Sequence, residues 1–317
     1  QHTDLDHVWF WPVRWFVDPM QIAYFTVTDR AAGRFHVREK YAYPDVWAAS
    51  AARDRLDVRH DSWFARMDAD GALRVGAHTR TTKLALRLVA QKPAALLGHD
   101  GYLDVPPASS HYYYSLPRMS AQGTLVVDGQ TRAVRGTAWL KHEWGFLYTD
   151  RIKGWVWFGV QLSSGQELEI GLLFDHEWNL MPGSFAVVEE KDGAVTPIEL
   201  GKLQVKELGN VWRSPRTNTV YPTHWWLEIP GRGSLVLSAT VAGQEMVVFP
   251  ANLWAGGLTV EGMFDEQEVT GDCFTEIVGL DAPPCRIECY DNSNMLGEEP
   301  VASQVVFVDW RPAKKEY

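Results

Sequence analysis

The chain has 317 residues, 46% of them hydrophobic and 22% charged, a balance that supports a buried core and excludes a disordered polymer. Its formal charge of −10 argues against a nucleic-acid partner, because no net field attracts phosphates. No apolar run approaches the roughly 18 residues of a spanning helix, and no basic-then-apolar leader opens the sequence; the three cysteines lead to the expectation of a reducing, cytoplasmic compartment.

Period-2 patterning dominates from the start. Trp9, Trp11, Val13 and Trp15 alternate with Phe10, Pro12, Arg14 and Phe16, as in a strand buried on both faces. An Ala-rich stretch after a proline, 44–55, predicts one short helix. Further strands are predicted over 22–28, 34–39, 73–78, 83–89, 111–115, 123–127, 133–145, 155–162 and 167–174. The series continues over 184–189, 221–229, 235–240, 258–262 and 273–278. Asp70-Gly71, Asp128-Gly129, Ser164-Gly165 and Asp192-Gly193 fall between these runs and read as hairpin tips. Many short strands without intervening amphipathic helices give an all-β sandwich or barrel. A polar, Gly-containing stretch at 191–210 divides two strand-rich halves, predicting domains 1–195 and 196–317.

Cys273, Cys285 and Cys289 are too few for a disulfide framework and have no matching His or Cys pair for zinc. There is no Gly-rich phosphate loop, nucleophile elbow or two-histidine helix motif, so neither a cofactor nor a metal is expected. The aromatic count is unusual: 15 Trp, 11 Tyr and 13 Phe imply either a ring-filled core or a cavity walled by flat apolar faces. One segment interleaves rings with charge. On a strand, Trp139, Lys141 and Glu143 share one face, and Leu140, His142 and Trp144 share the other. Either a salt-bridged exposed face or the border of a polar pocket fits that pattern. Trp155 and Trp157, the run His111-Tyr112-Tyr113-Tyr114-Ser115, and His224-Trp225-Trp226 add further rings, with phenol hydroxyls that need partners once buried.

In these segments the sequence resembles the hydroxyneurosporene synthase-like family, which includes carotenoid 1,2-hydratases and lipocalin-like Diels–Alder cyclases. The resemblance runs from Asp18-Pro19-Met20-Gln21 through Ala32-Gly33-Arg34-Phe35-His36 and Tyr113-Tyr114-Ser115-Leu116-Pro117-Arg118. It continues with 136–145, Tyr221-Pro222-Thr223-His224-Trp225, Leu253-Trp254-Ala255-Gly256 and Thr275-Glu276-Ile277-Val278-Gly279. It implies two lipocalin-like β-barrel domains with a ligand pocket at or near their interface. The family's usual acids are absent at three matching positions, where Lys141, Val156 and Ala255 stand.

Hydration of a C=C bond calls for a proton donor and an activated water. Their substitution shifts the expectation to a cofactor-independent cyclase of specialised metabolism. Such an enzyme would fold a linear polyene or polyketide for cycloaddition, where orientation alone supplies up to about 7–11 kcal/mol. Lys141 is the expected hydrogen-bond donor to a substrate carbonyl, with Tyr113 and Glu143 positioning or polarising it. Trp139, Trp157, Trp225 and Trp254, with His142, Tyr114 and Glu276, would line the substrate site. The alternatives are a hydro-lyase acting on an isoprenoid alkene through Glu143 or Glu276, and a lipid or pigment carrier without catalysis.

Overall fold

In a computed structural model, the described residues are 21–42, 49–52, 54–98, 100–105, 109–147, 151–248, 252–279, 286–293, 301–308 and 311–312. Every strand or helix of more than one turn among them is a strand. The first hairpin pairs β1 (Gln21–Asp29) with β2 (Arg34–Ala42). A first sheet follows, made of β3 (Ala49–Ala51), β4 (Asp57–His60), β5 (Trp63–Met67), β6 (Leu73–His78) and β7 (Thr82–Ala90). It is completed by β8 (Ala95–Leu96), β9 (Tyr102–Val105), β10 (Ser109–Val127) and β11 (Gln130–Leu147). Its order is β11-β10-β7-β6-β5-β4-β3, with β8 and β9 also pairing β10, all antiparallel.

The chain then gives β12 (Gly154–Leu162), β13 (Glu167–Phe174), β14 (Phe185–Glu189), β15 (Val195–Pro197), β16 (Gln204–Glu207), β17 (Val211–Arg213) and β18 (Val220–Pro222). After these come β19 (His224–Ile229), β20 (Gly233–Ala239), β21 (Glu245–Met246), β22 (Leu253–Phe264) and β23 (Gln267–Val278). β17 and β18 pair with each other, and the rest form a second antiparallel sheet ordered β15-β14-β13-β12-β23-β22-β20-β19-β16, with β21 on β22. β24 (Arg286–Ser293), β25 (Val301–Val308) and β26 (Arg311–Pro312) make a separate small sheet.

The turns follow from local chemistry. Asp128 and Gly129 both take positive φ, 50° and 78°, the type I′ geometry that matches strand twist and joins β10 to β11. Asp265 and Glu266 do the same without glycine, at 50° and 61°, and join β22 to β23. Asp265 is held there by Arg232 at 2.7 Å and Gln166 at 2.8 Å.

Phe158 on β12 and Trp225 on β19 touch, ring centroids 5.3 Å apart, although three strands lie between them in the sheet order. Neighbouring strands are about 4.8 Å apart, so a flat sheet could not bring them together. The second sheet therefore curls into a half-barrel. Its interior is packed with side chains, among them the fully buried Phe158, Leu168, Ile170, Leu227, Leu237, Trp254 and Ile277. Among the described residues neither sheet closes on itself: the pairing path ends at β11 and β3 in one, and at β15 and β16 in the other.

The helix over 44–55 is corrected: Ala49–Ala51 is strand β3, with Ala49 opposite His60, and residues 43–48 and 53 lie outside the described set. Alanine's helical advantage is only a few tenths of a kcal/mol per residue, less than a place on a sheet edge supplies. The expected division at 195/196 falls inside β15, whose sheet holds strands from both sides of that point. The predicted strand over 9–16 lies outside the described residues.

β10 and β11 are the longest strands, at 19 and 18 residues, and one irregularity shapes them. Register passes from Leu116↔Leu140 to Met119↔Ala138, so β10 carries one extra residue, a β-bulge at Pro117-Arg118. Proline has no N–H to give the ladder. The Gln161 amide on β12 donates to the Pro117 and Ala138 carbonyls at 2.7 and 3.1 Å, satisfying acceptors that the bulge leaves free.

Candidate active site between the two sheets

The bulge sets which face of β10 meets the second sheet. Tyr113 lies opposite Glu143 and Ser115 opposite Lys141, so His111, Tyr113, Ser115, Trp139, Lys141 and Glu143 share one face. Trp157, Glu169 and Glu276 come from β12, β13 and β23 of the second sheet, where Trp157 pairs with Glu276 and Gly159 with Glu169. A Cβ on Gly159 would sit 2.4 Å from the Trp157 ring, so only glycine lets the indole lie across that position. From there its Nε1 donates to Glu169 at 3.2 Å.

Glu169 is the centre of the group. It is fully buried and accepts the Tyr113 hydroxyl at 2.5 Å. Burial raises its carboxyl above the usual range, against the hydrogen bonds from Tyr113 and Ser115 and the attraction of Lys141. Burial and the Glu169 charge push the Tyr113 phenol well up, so it stays a proton donor. The Lys141 ammonium lies 3.0 Å from Glu276 Oε2 and 4.5 Å from the Trp157 ring centre. Burial works against its charge, but Glu276 and then Glu143 outweigh that cost and hold it above its usual value. Trp139 stands edge-on to Trp157 at 5.9 Å and donates to Ser115 Oγ at 3.3 Å. His111 Nε2 is 3.9 Å from Glu143 Oε2, and burial lowers the imidazole against the attraction of that carboxylate.

Next to this group is an ionic bolt. Glu167, fully buried, binds Lys92 Nζ at 2.5 Å and Arg118 Nε. Lys92 also donates to the Gly165 and Glu190 carbonyls, both at 2.7 Å, and Arg118 to the Leu162 carbonyl at 2.9 Å. Lys92 and Arg118 belong to the first sheet's side and Glu167 to the second, so the bolt fixes the contact in which Glu169 sits.

Of the residues predicted from sequence, the structure brings together Lys141, Glu143, Tyr113, Trp139, Trp157 and Glu276. Tyr114 and His142 lie on the opposite face of the hairpin, with Tyr112 and Trp144, whose rings stack at 5.2 Å. Trp225 and Trp254 belong to the packed interior of the second sheet, and the Trp254 indole is tied to the Ala242 carbonyl at 2.7 Å. Sequence reasoning missed Glu167, Glu169, Glu189, Ser115 and His111 as site residues. The usable signal was the acid at every second position of Glu167-Leu168-Glu169-Ile170. A concavity of about 550 Å³ lined by Gln122, Gly123, Ala133, Val134 and Arg135 lies on the far half of the β10–β11 hairpin, away from Lys141. Among the described residues no group of three or more His, Cys, Asp or Glu is placed to hold a metal ion, and no helix is long and apolar enough to cross a membrane.

Two packed antiparallel sheets with a carboxyl–phenol–ammonium group between them define a lipocalin-type β protein. Residues 6–280 match the AttH-like family, and the chain belongs to it. This agrees with the family resemblance carried by the motifs.

The dehydratase asqC of Emericella nidulans is 26% identical over 189 residues, 55% of this chain and 52% of that protein. The chain thus spans about half the length of this curated relative. An AttH-type protein of Nitrosomonas europaea has the same fold, with TM-score 0.73, 25% identity, and 83% and 82% of the two chains covered. Kievitone hydratase of Nectria haematococca superposes with TM-score 0.68 at 19% identity, covering 82% and 79%. Residues 275–317 match a second family, the UvrC RNAse H endonuclease domain. Over 41 residues the chain is 58% identical to UvrABC system protein C of Desulforapulum autotrophicum, 13% of this chain and 7% of that protein. Nothing in the sequence reading anticipated this second match.

Proposed function

We propose that the chain is a cofactor-independent enzyme that removes water from, or adds it to, an apolar small molecule, with Glu169 as the proton carrier. The observation that carries this reading is the buried Glu169 carboxyl, raised by its surroundings and hydrogen-bonded to Tyr113 and Trp157. In the dehydration direction Glu169 takes a proton from carbon, and C=C forms as the C–O bond of a neighbouring hydroxyl breaks. The Tyr113 hydroxyl gives its proton to the departing oxygen so that water leaves, and Glu169 returns its proton to the Tyr113 oxygen across their hydrogen bond. Tyr113 is placed to donate as charge develops, and the Lys141 ammonium to polarise a substrate carbonyl. The relatives bearing the names dehydratase and hydratase support the same class.

Glu276 lies directly across from Ala255 in register and carries the charge partner of Lys141.

A second reading, intramolecular cycloaddition of a linear polyene, is favoured by one observation: the Lys141 donor is flanked by the Trp157 and Trp139 rings. The two are separated by incubating the purified chain with apolar β-hydroxycarbonyl compounds and their enones in ¹⁸O-labelled water. A mass change of one water, with label incorporated on hydration and turnover lost in Glu169→Gln, is the expected result. A ring-closed isomer of unchanged mass would establish the cyclase instead, and a bound but unaltered ligand would establish a carrier.

A further inference from the structure

We propose that Glu189 carries the one proton of the buried Glu169–Glu189 pair, which leaves Glu169 ionised as the base of the site. This rests on the reading of Glu169 as the proton carrier.

Three carboxyls occupy one face of β13 and β14. Glu167 pairs with Glu189 and Glu169 with Val187, which puts Glu189 directly across from Glu167 and diagonal to Glu169. All three are buried. Lys92 and Arg118 are the cations facing them from the first sheet, and both are bonded to Glu167. Tyr113 is the other titratable group facing them from β10, and it binds Glu169. On the other side Glu189 pairs with Val195 of β15, which brings no charge. Lys141 is bonded to Glu276. Lys141 also attracts Glu169, so with its partner Glu276 counted, three cations face four carboxyls, and one proton balances the set.

The location of that proton follows from hydrogen bonding. Glu169 receives donors from Tyr113 and Trp157, both at Oε1, which favour the anion, while its Oε2 has no hydrogen-bond partner among the described residues. Neither oxygen of Glu189 has a hydrogen-bond partner among the described residues. An ionised carboxylate in that position would be an uncompensated buried charge, whereas the neutral acid is tolerated. Burial, followed by the charges of Glu169 and Glu167, raises the Glu189 carboxyl to about 9. Glu189 touches no reacting atom in this scheme. It is a positioning residue that acts through the charge of Glu169, by the logic of paired carboxylates that cannot both ionise.

The test is infrared spectroscopy of the full chain, without substrate, across a pH series. Wild type is expected to show the carbonyl stretch of a protonated carboxylic acid at pH 7, titrating away near pH 9. Glu189→Gln should abolish that band. Glu169→Gln should retain it but move its titration to lower pH, because a neighbouring negative charge is gone; a purely structural Glu189 would show no such shift. A band that survives Glu189→Gln, or whose titration ignores Glu169→Gln, overturns the proposal. Should Glu189→Gln fail to fold, the Glu169→Gln shift decides alone. A coupled band in a chain that neither adds nor removes water would leave the proton on Glu189 standing and remove only the hydro-lyase reading.

Discussion

Glu169 stands at the meeting point of two opposed effects: burial, which favours the acid, and donors aimed at it, which favour the anion. Replacing it with glutamine preserves shape and removes the proton carrier, so turnover is expected to fall by roughly 10²–10⁴-fold. Circular dichroism of the variant should match wild type. Glu189 gives a prediction about stability. Its folded-state value of about 9 lies above the ordinary 4.5, so between those limits the folded chain binds more protons than the unfolded one. Its contribution is therefore complete below pH 4.5 and is lost progressively as pH rises through about 9. Melting temperatures of wild type should decline across that window relative to Glu189→Gln, in which the proton is no longer exchangeable. Parallel curves for the two proteins would contradict this.

Sequence reading reached part of the site at this scale. Trp139, Lys141 and Glu143 were legible because period-2 alternation fixes a strand's faces whatever packs on them. Glu169 was not, since Glu-Leu-Glu-Ile is also the pattern of a strand with one face in water. Only the first sheet, folded over it with Tyr113 56 residues away in sequence, makes that face dry.

Among the elements, the contact between Lys92 beside β7, Arg118 on β10 and Glu167 on β13 has a cost that depends on how it is broken. Lys92→Met leaves Glu167 buried with one cation fewer, which should cost about 3–5 kcal/mol. Replacing Lys92 and Glu167 together by apolar residues should recover most of the loss, because no orphan charge remains. Urea titration of the single and double variants measures both. The strand content was legible from turn chemistry: Asp128-Gly129 is a positive-φ pair that the I′ turn demands. The Asp265-Glu266 turn was invisible because its strained φ values are held by Arg232 and Gln166, partners distant in sequence. Ala49 and Ala51 misled for a related reason, their intrinsic preference being overridden by the pairing of β3 with β4.

At the scale of the molecule, the aromatic count was read as either a ring-filled core or a walled cavity, and the second sheet takes the first course. Trp254→Ala should therefore act on stability, costing about 3–5 kcal/mol by calorimetry or denaturant titration. The small β24–β26 sheet pairs with neither large sheet, and the AttH-like match ends at residue 280. A chain ending at Pro284 should thus melt within a few degrees of the full one; a large drop would show that the segment supports the larger fold. Of the two lipocalin-like β-barrel domains that the family resemblance implied, the described residues show two large antiparallel sheets, one curled into a half-barrel, and pairing across a closing seam is written nowhere in local periodicity.

The extra residue at Pro117-Arg118 also governs evolutionary drift. Loss of a single codon there would restore even spacing along β10 and rotate everything before it by half a turn. Tyr113 would swing away from Glu169, and the two tyrosines flanking it would be delivered in its place, with no substitution at any of the three. Length polymorphism at this one point could thus rewire the contact between the two sheets more thoroughly than most point mutations inside it.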